Sequence, residues 1–332
     1  MSDETLRAFV VRKQDDGSTR TSLEQVRLGD LPPGEVLFRV QYSSLNYKDA
    51  LSVSGNPGVT KNYPHIPGID AAGVVVSSTS PAVRPGQEII VTSYELGANR
   101  WGGYAELCRV PADWVVPLPA GLSLRESMIL GTAGFTAAQC VQTLMDHQVQ
   151  PSEEVVVTGA TGGVGSLAVM MLSRLGYRVV AISGKAAQTA ALQRWGAHEV
   201  LPREAVDDRT ARPLLSSRFA GAVDTIGGNT LATILRSTRL HGCVTACGLI
   251  GGTDLHTTVF PFILRGVSLC GITSAWCPKE RRLMLWDKLA GPWKPELELL
   301  ATQIGLEQVS DSVAKMFAGQ VVGRLLVKVS AD

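Results

Sequence analysis

The apolar positions of this chain change rhythm along its length. From Leu6 to about Ser123, short alternating runs such as "EVLFRVQYSSLNY", "DAAGVVVSS", "QEIIVTS" and "YAELCRVP" are separated by glycine and proline turns. Period-two patterning between turn residues predicts an antiparallel, barrel-like β domain. In "LRESMILGTAGFTAAQCVQTLMDH" the apolar residues recur at helical spacing. From Glu154 to about Thr273, apolar strands alternate with helical segments, as in a parallel sheet with crossover helices. The strands are expected at 155–158, 178–182, 199–201, 221–225, 243–247 and 268–271. The tail holds helices near 280–289 and 309–318 and a closing strand, "GRLLVKV", patterned like the first zone. The tail is therefore expected to return to the N-terminal domain. The expected division is 1–124, completed by 295–332, against 125–294. No internal repeat or low-complexity tract is visible.

Composition narrows the classes. The chain has 332 residues, 45% of them hydrophobic, enough for a sizeable core and more than one domain. A net charge of +1 provides no bulk field toward nucleic acid or a membrane surface. No run reaches the roughly 18 apolar residues of a membrane span, and the start "MSDETLRAFVVRKQDDG" lacks the apolar core of a signal peptide. The six cysteines are scattered, which fits reduced thiols in a cytoplasm better than a disulfide framework. Cys243 and Cys247 have a C-x3-C spacing, but on a strand such residues lie about 13 Å apart. No metal is expected there.

The chemistry concentrates in "VVVTGATGGVGSLAVMMLSRLGYRVVAISGKAAQ". Gly159, Gly162 and Gly165 form G-x-x-G-x-x-G between an apolar strand and a helix. A pyrophosphate needs a sharp turn, close approach to the main chain and the free N–H groups of a helix start. Thr161, Gly162, Gly163 and Val164 are the expected contacts. The end of the next strand decides the cofactor, because a carboxylate there would repel a 2′-phosphate. This chain has Ser183, Gly184 and Lys185 instead, with Arg203 after the following strand. A hydroxyl and two cations suit a 2′-phosphate, so NADP(H) is the expected cofactor.

A β-rich first domain followed by "GTAGFTA", "VTGATGGVGS", "AVDTIGG" and a returning strand resembles the medium-chain dehydrogenase/reductase superfamily. The runs "SSLNYKDAL", "IPGIDAAG", "WGGYAE", "GLIGG" and "PFILRGVSLCGI" resemble its quinone-oxidoreductase-like branch, with the acrylyl-CoA reductases nearest. The resemblance covers nearly the whole chain. It implies an α/β fold: a Rossmann-type doubly wound parallel sheet plus a GroES-like β-barrel domain. Zinc-dependent members hold catalytic zinc through a cysteine and a histidine. Here Asn46 and Ile69 stand at those places, and the cysteine-rich structural-zinc lobe is missing, so no metal is expected. His65 is read as a histidine at the surface or just behind a site, not as a ligand.

Hydride delivery to a C=C bond conjugated to a carbonyl needs no metal; positioning and donors at the enolate oxygen can supply the barrier reduction. Asn46 can donate to an oxygen, and Tyr47 can stack or donate; the resemblance puts both near the nicotinamide, Tyr47 against the cofactor. Lys48 and Asp49 are read as a supporting pair. By resemblance alone, Thr132, Leu249, Ile263 and Ser274 belong to the cofactor site, and Gly323 with Arg324 to a C-terminal contact. The expected reaction is NADPH-dependent reduction of an α,β-unsaturated carbonyl compound, acrylyl-CoA first. A quinone reductase needs the same fold and cofactor, and a non-catalytic RNA-binding or structural relative is a third reading. The run "VSLCGITSAW" is expected to extend a sheet across a homodimer.

Overall fold

The computed structural model describes residues 4–330. Elements are numbered along the chain. β1 (Thr5–Lys13) and β2 (Thr19–Arg27) form an antiparallel hairpin. They are followed by β3 (Val36–Leu45), α1 (Tyr47–Val53), β4 (Asp70–Ser78), β5 (Glu88–Thr92), β6 (Leu107–Val110) and the short β7 (Val116–Pro117). β3, β4, β5 and β7 pair antiparallel in that order, and β6 also pairs with β3. The alternating apolar positions face one core that includes Phe38, Val40, Ile66, Ile89 and Tyr104. α2 (Leu124–Asp146) is broken at Gly131, whose φ of 50° and ψ of −155° are not helical.

The second sheet is parallel. β8 (Glu154–Val157), α3 (Gly163–Arg174), β9 (Arg178–Ile182), α4 (Thr189–Arg194), β10 (Glu199–Leu201), β11 (Phe219–Asp224), α5 (Gly228–Ser237), β12 (Thr238–Ala246), α6 (Phe260–Arg265) and β13 (Ser268–Gly271) follow one another. The strand order is β10-β9-β8-β11-β12-β13, all parallel. The order reverses between β8 and β11, which is where doubly wound sheets bind ligands. Apart from Glu154, Arg178 and Asp224 at their ends, β8, β9 and β11 are apolar and buried, as expected of a parallel sheet covered on both faces. Val156, Val180, Ala222 and Val244 form the centre of this core.

α7 (Lys279–Ala290), β14 (Ala301–Gly305), α8 (Val309–Phe317) and β15 (Arg324–Lys328) complete the chain. β15 pairs antiparallel with β3 and parallel with β14, so the tail does return to the first sheet. Internal contacts divide the chain into two compact units. One runs to Thr132 and takes in Ala275–Ala290 and everything from Leu300. The other is Ala133–Ser274 with Gly291–Leu299. The boundary expected at 124 thus falls within α2, and α7, expected with the parallel sheet, groups with the first unit. Among the described residues no helix is long and apolar enough to cross a membrane.

Candidate active site and cofactor-binding turn

In the first unit, strand register assembles a buried polar network. Leu45 closes β3, and β15 pairs Leu325 with it, which brings Arg324 beside Asn46. On the other side of β3, Tyr42 pairs with Ala72, which brings Asp70 beside Ser44. Asp70 Oδ2 accepts from Ser44 Oγ at 2.5 Å, Asn46 Nδ2 at 2.8 Å and Thr132 N at 2.9 Å. Its Oδ1 accepts from Thr132 Oγ1 at 2.6 Å. Arg324 Nη1 donates to Asn46 Oδ1 at 3.2 Å, and its Nε to the Ile129 carbonyl at 2.8 Å. The break in α2 makes room for this: a Cβ on Gly131 would lie 2.5 Å from Asp70 Oδ2.

Asp49 completes the network. Its Oδ2 accepts from the Asn46 N–H at 2.8 Å, and its Oδ1 from the N–H groups of Ile69 and Gly68 at 2.8 and 3.1 Å. Burial, with the Asp70 charge nearby, pushes the Asp49 carboxyl up to about 7. Asp49 is therefore bound to backbone N–H groups and to Asn46, and no bond among the described residues joins it to Lys48, contrary to the expected pair.

These bonds change the reading of Asn46. The side chain is 9% exposed, and both ends of its amide are engaged. It is the N-terminal cap of α1 and the bridge between Asp70 and Arg324; the donors expected for a substrate oxygen are already used. Thr132 is likewise held by Asp70 and by Ser93 Oγ at 2.9 Å. Tyr47 differs. It is 40% exposed, its ring packs edge-on against Phe317 at 5.8 Å, and its hydroxyl has no hydrogen bond among the described residues. Ile69 is buried and has no lone pair to offer. Asn46 and Ile69 thus do not make a donor set for zinc. His65, expected at the surface or beside a site, is buried, with Nε2 at 3.0 Å from the Gly97 carbonyl, and burial lowers its imidazole to about 4.

The same unit contains a cavity of about 490 Å³ lined by Tyr94, Asp113, Trp114, Trp276, Cys277 and Lys279. Tyr94 stacks on Trp114 at 5.1 Å and meets Trp276 edge-on at 6.0 Å. Lys279 Nζ donates to the Asp113 carbonyl at 2.8 Å and to that of Val115. Ser93 and Tyr94 both have positive φ, 66° and 52°, so adjacent residues serve the Thr132 network and this cavity. No sequence pattern signalled it.

In the second unit, the glycine turn follows β8. α3 is capped by Gly162, and its first intrahelical bond is from Ser166 N to the Gly162 carbonyl at 2.9 Å. The N–H groups of Gly163, Val164 and Gly165 therefore precede the helical ladder and are available to an anion. A Cβ on Gly165 would lie 2.3 Å from the Gly159 carbonyl oxygen, which is why the turn needs a glycine there. Thr161 is buried within the turn. Asp224, missed by the sequence reading, ties β11 to β8 beneath it: Thr158 Oγ1 donates to its Oδ1 at 2.7 Å, and Gly227 N to its Oδ2 at 2.7 Å.

At the next strand end, Ser183 Oγ accepts from Lys185 N at 3.0 Å. The Arg203 side chain lies across Gly184, where a Cβ would meet its Nε at 2.4 Å. Desolvation, and then the neighbouring Arg203 charge, lowers the Lys185 ammonium. Two cations held together at the end of β9 are a fit for a doubly charged phosphate, and no carboxylate stands at the end of that strand. Leu249 and Ile263 are 62% and 68% exposed, and Ser274 is half-buried. Gly323, in the first unit, has a φ of 70° and a local reason to be glycine: a Cβ would lie 2.5 Å from the Leu300 carbonyl oxygen.

Comparison with known proteins agrees with both units. Residues 32–120 match the alcohol dehydrogenase GroES-like domain, and residues 163–287 the zinc-binding dehydrogenase family. The probable acrylyl-CoA reductase AcuI of Escherichia coli is 46% identical over 96% of this chain and 98% of its own. The putative quinone oxidoreductase YhfP of Bacillus subtilis is 45% identical over 90% and 92%. Among solved structures, the yhdH oxidoreductase of Salmonella enterica in complex with NADP superposes with a TM-score of 0.95 at 45% identity, covering 98% of this chain and 100% of that one. Bacillus subtilis yhfP with NAD bound superposes at 0.95 with 42% identity, covering 98% and 99%. The chain belongs to the medium-chain dehydrogenase/reductase superfamily, among the relatives of AcuI and YhfP.

Proposed function

We propose that this protein is an NADPH-dependent oxidoreductase that reduces the activated C=C bond of an α,β-unsaturated carbonyl compound, acrylyl-CoA to propionyl-CoA in the first instance, without a metal. The observation that carries the reading is the Asn46 network. Where an alcohol dehydrogenase of this superfamily would need soft ligands, the side chains are an amide bonded at both ends and an isoleucine. Alkoxide chemistry has no Lewis acid in such a site. An enoyl thioester carries its own electron sink.

NADPH supplies a hydride to the β-carbon when bound. Gly163, Val164 and Gly165 would hold its pyrophosphate, and Ser183, Lys185 and Arg203 its 2′-phosphate. Negative charge then develops on the thioester oxygen, and a proton must reach the α-carbon. Tyr47 would supply a phenol hydroxyl to donate at that oxygen, since its ring is 40% exposed and its hydroxyl has no hydrogen bond among the described residues. Asn46 and Thr132 position α1 and the broken α2 through Asp70. Leu249, Ile263 and Ser274 are proposed to flank the cofactor. The Tyr94–Trp114–Trp276 cavity, with the Lys279 ammonium in its wall, suits a planar, anionic portion of the substrate, as a CoA thioester has.

The likeness to AcuI and to NADP-bound yhdH supports this reading; the YhfP likeness supports a quinone as the second substrate class. Stopped-flow loss of NADPH absorbance across acrylyl-CoA, simple enones and quinones decides between them. Turnover of acrylyl-CoA no better than that of simple enones overturns the thioester assignment. The reading includes a homodimer, because β13 is an edge strand of the parallel sheet, and a cytoplasmic location in keeping with six free thiols. A monomeric mass by light scattering overturns the dimer.

A further inference from the structure

We propose that His147, Cys243 and Cys270 form a thiolate–imidazole site for a soft divalent transition metal, with zinc(II) as its occupant. The site lies wholly in the second unit and is independent of the reaction proposed above. β12 and β13 run side by side, with Thr245 opposite Cys270 and Cys243 opposite Ser268, so the two cysteines are diagonal neighbours. Their Sγ atoms are 3.9 Å apart. His147 follows the end of α2, and its Nε2 lies 3.6 Å from Cys270 Sγ. All three ligand atoms fall within 4.8 Å of one another.

The two separations made by Cys270 Sγ, 3.9 Å to Cys243 Sγ and 3.6 Å to His147 Nε2, are those of a tetrahedral centre. Zn–S bonds of about 2.3 Å and Zn–N bonds of about 2.0–2.1 Å at tetrahedral angles put two sulfurs about 3.8 Å apart and a sulfur and nitrogen about 3.6 Å apart. The imidazole is also set up for the task. His147 Nδ1 is 2.9 Å from the Thr143 carbonyl, which can only accept. The ring proton therefore sits on Nδ1, and the Nε2 lone pair faces the thiols. Such an outer hydrogen bond orients metal-binding histidines generally. His147 is exposed, so an ion can enter from solvent and a water can take the fourth position.

The site is remote along the sheet from the glycine turn. Cys243 is level with Val155 through Gly221, at the start of β8, whereas the turn follows the end of β8. A bound ion would fasten the edge strand β13 to β12 and to the end of α2. Cys247 has no part in this: its thiol lies 3.5 Å from the Asp224 carbonyl. The C-x3-C spacing was thus the wrong pair to inspect, since the partner of Cys243 is 27 residues away on the next strand.

The test uses tag-free, full-length protein, reduced, stripped with chelator and titrated anaerobically with Co²⁺. The expected result is a thiolate-to-cobalt charge-transfer band with tetrahedral visible bands, saturating at one ion per chain and abolished by one equivalent of Zn²⁺. Cys270→Ser should remove the charge-transfer intensity by about half or more. The exposed substitution His147→Gln should weaken binding at least about tenfold, in line with losses seen for weaker perturbations of metal sites. Cys247→Ser should change neither. Zn²⁺ should raise the melting temperature of the wild type but not of His147→Gln. No cobalt band in the reduced wild type, a band surviving both ligand substitutions, or one lost in Cys247→Ser overturns the proposal. A Cys243–Cys270 disulfide that forms in place of metal binding does so too.

Discussion

Arg324 donates from Nη1 to Oδ1 of Asn46, and this bond fixes which way the Asn46 amide faces. With its oxygen held by a guanidinium, its nitrogen must face the carboxylate of Asp70. Asn46→Asp would set an acceptor against that carboxylate, and Arg324→Met would leave Asp70 and Asp49 without their cation. Breaking a buried charge network from one side costs about 3–5 kcal/mol. Both variants should lose about that much in urea denaturation, and NADPH oxidation should fall with the folded fraction. Stability within about 0.5 kcal/mol of wild type, the level expected of an indifferent surface site, would show that the network is not structural.

The cation pair at the end of β9 should decide between the two nicotinamide cofactors. Arg203→Ala and Lys185→Ala each remove a charge-assisted partner, an effect of about 1.5–3 kcal/mol. The KM for NADPH should rise about tenfold to a hundredfold in each variant, while the KM for NADH stays level. Steady-state kinetics with both cofactors read this directly, and an equal rise for NADH would contradict it. Relatives solved with NADP and with NAD make the comparison informative.

Two glycines of the cofactor-binding region should differ sharply in their tolerance of a methyl group. Gly165→Ala drives a methyl group to 2.3 Å from the backbone oxygen of Gly159, which cannot move aside without opening the turn. Gly184→Ala meets only the flexible Arg203 side chain. The first should abolish NADPH binding by fluorescence titration. The second should fold normally and weaken NADPH by less than Arg203→Ala does.

Two buried groups give stability opposite pH dependences. The His65 imidazole, lowered to about 4 by burial, contributes stability that is present above its unfolded value of 6.5 and lost as pH falls toward 4. The Asp49 carboxyl, raised to about 7, contributes stability that is present below its unfolded value of 3.8 and lost as pH rises toward 7. The two slopes oppose each other across one window. His65→Gln should therefore gain on the wild type by about 2 kcal/mol between about pH 6.5 and about pH 4.5, at about 1.4 kcal/mol per unit of separation. Urea midpoints at several pH values test this; parallel profiles would refute it.

Tyr47→Phe isolates the hydroxyl from the ring. The ring contact with Phe317 survives the change, so stability should hold within about 0.5 kcal/mol. If the hydroxyl stabilises the developing enolate, kcat with acrylyl-CoA should drop about a hundredfold, the loss typical of one oxyanion donor, with little change in KM. A variant of unchanged kcat removes Tyr47 from the chemistry.

The parallel sheet was legible because its strands are apolar on both faces between turn residues; 178–182, 199–201 and 268–271 are strands as read. β12 begins earlier, at Thr238, because its opening "TRLHG" carries a single apolar side chain, Leu240, and that one is exposed. The glycine turn was readable since its chemistry is backbone chemistry within a few residues. The bonding of Asn46 was not, because Asp70 and Arg324 lie 24 and 278 positions away. A buried aspartate opening an apolar strand, in "PGIDAAG", was the available signal. His147 and Cys270, 123 positions apart, had none.

The position of Arg324 also sets a timetable for biosynthesis. Asp49 and Asp70 leave the ribosome early, and their only cation in the network arrives with the last strand, β15. The parallel sheet, by contrast, is encoded without interruption from β8 to β13. Since domains form as units while the chain emerges, the unit begun first is completed only by β15, which is made after every strand of the parallel sheet. A truncation that removes β15 should therefore yield a protein that still assembles its dinucleotide-binding sheet but holds the first sheet open, with two carboxylates exposed to water.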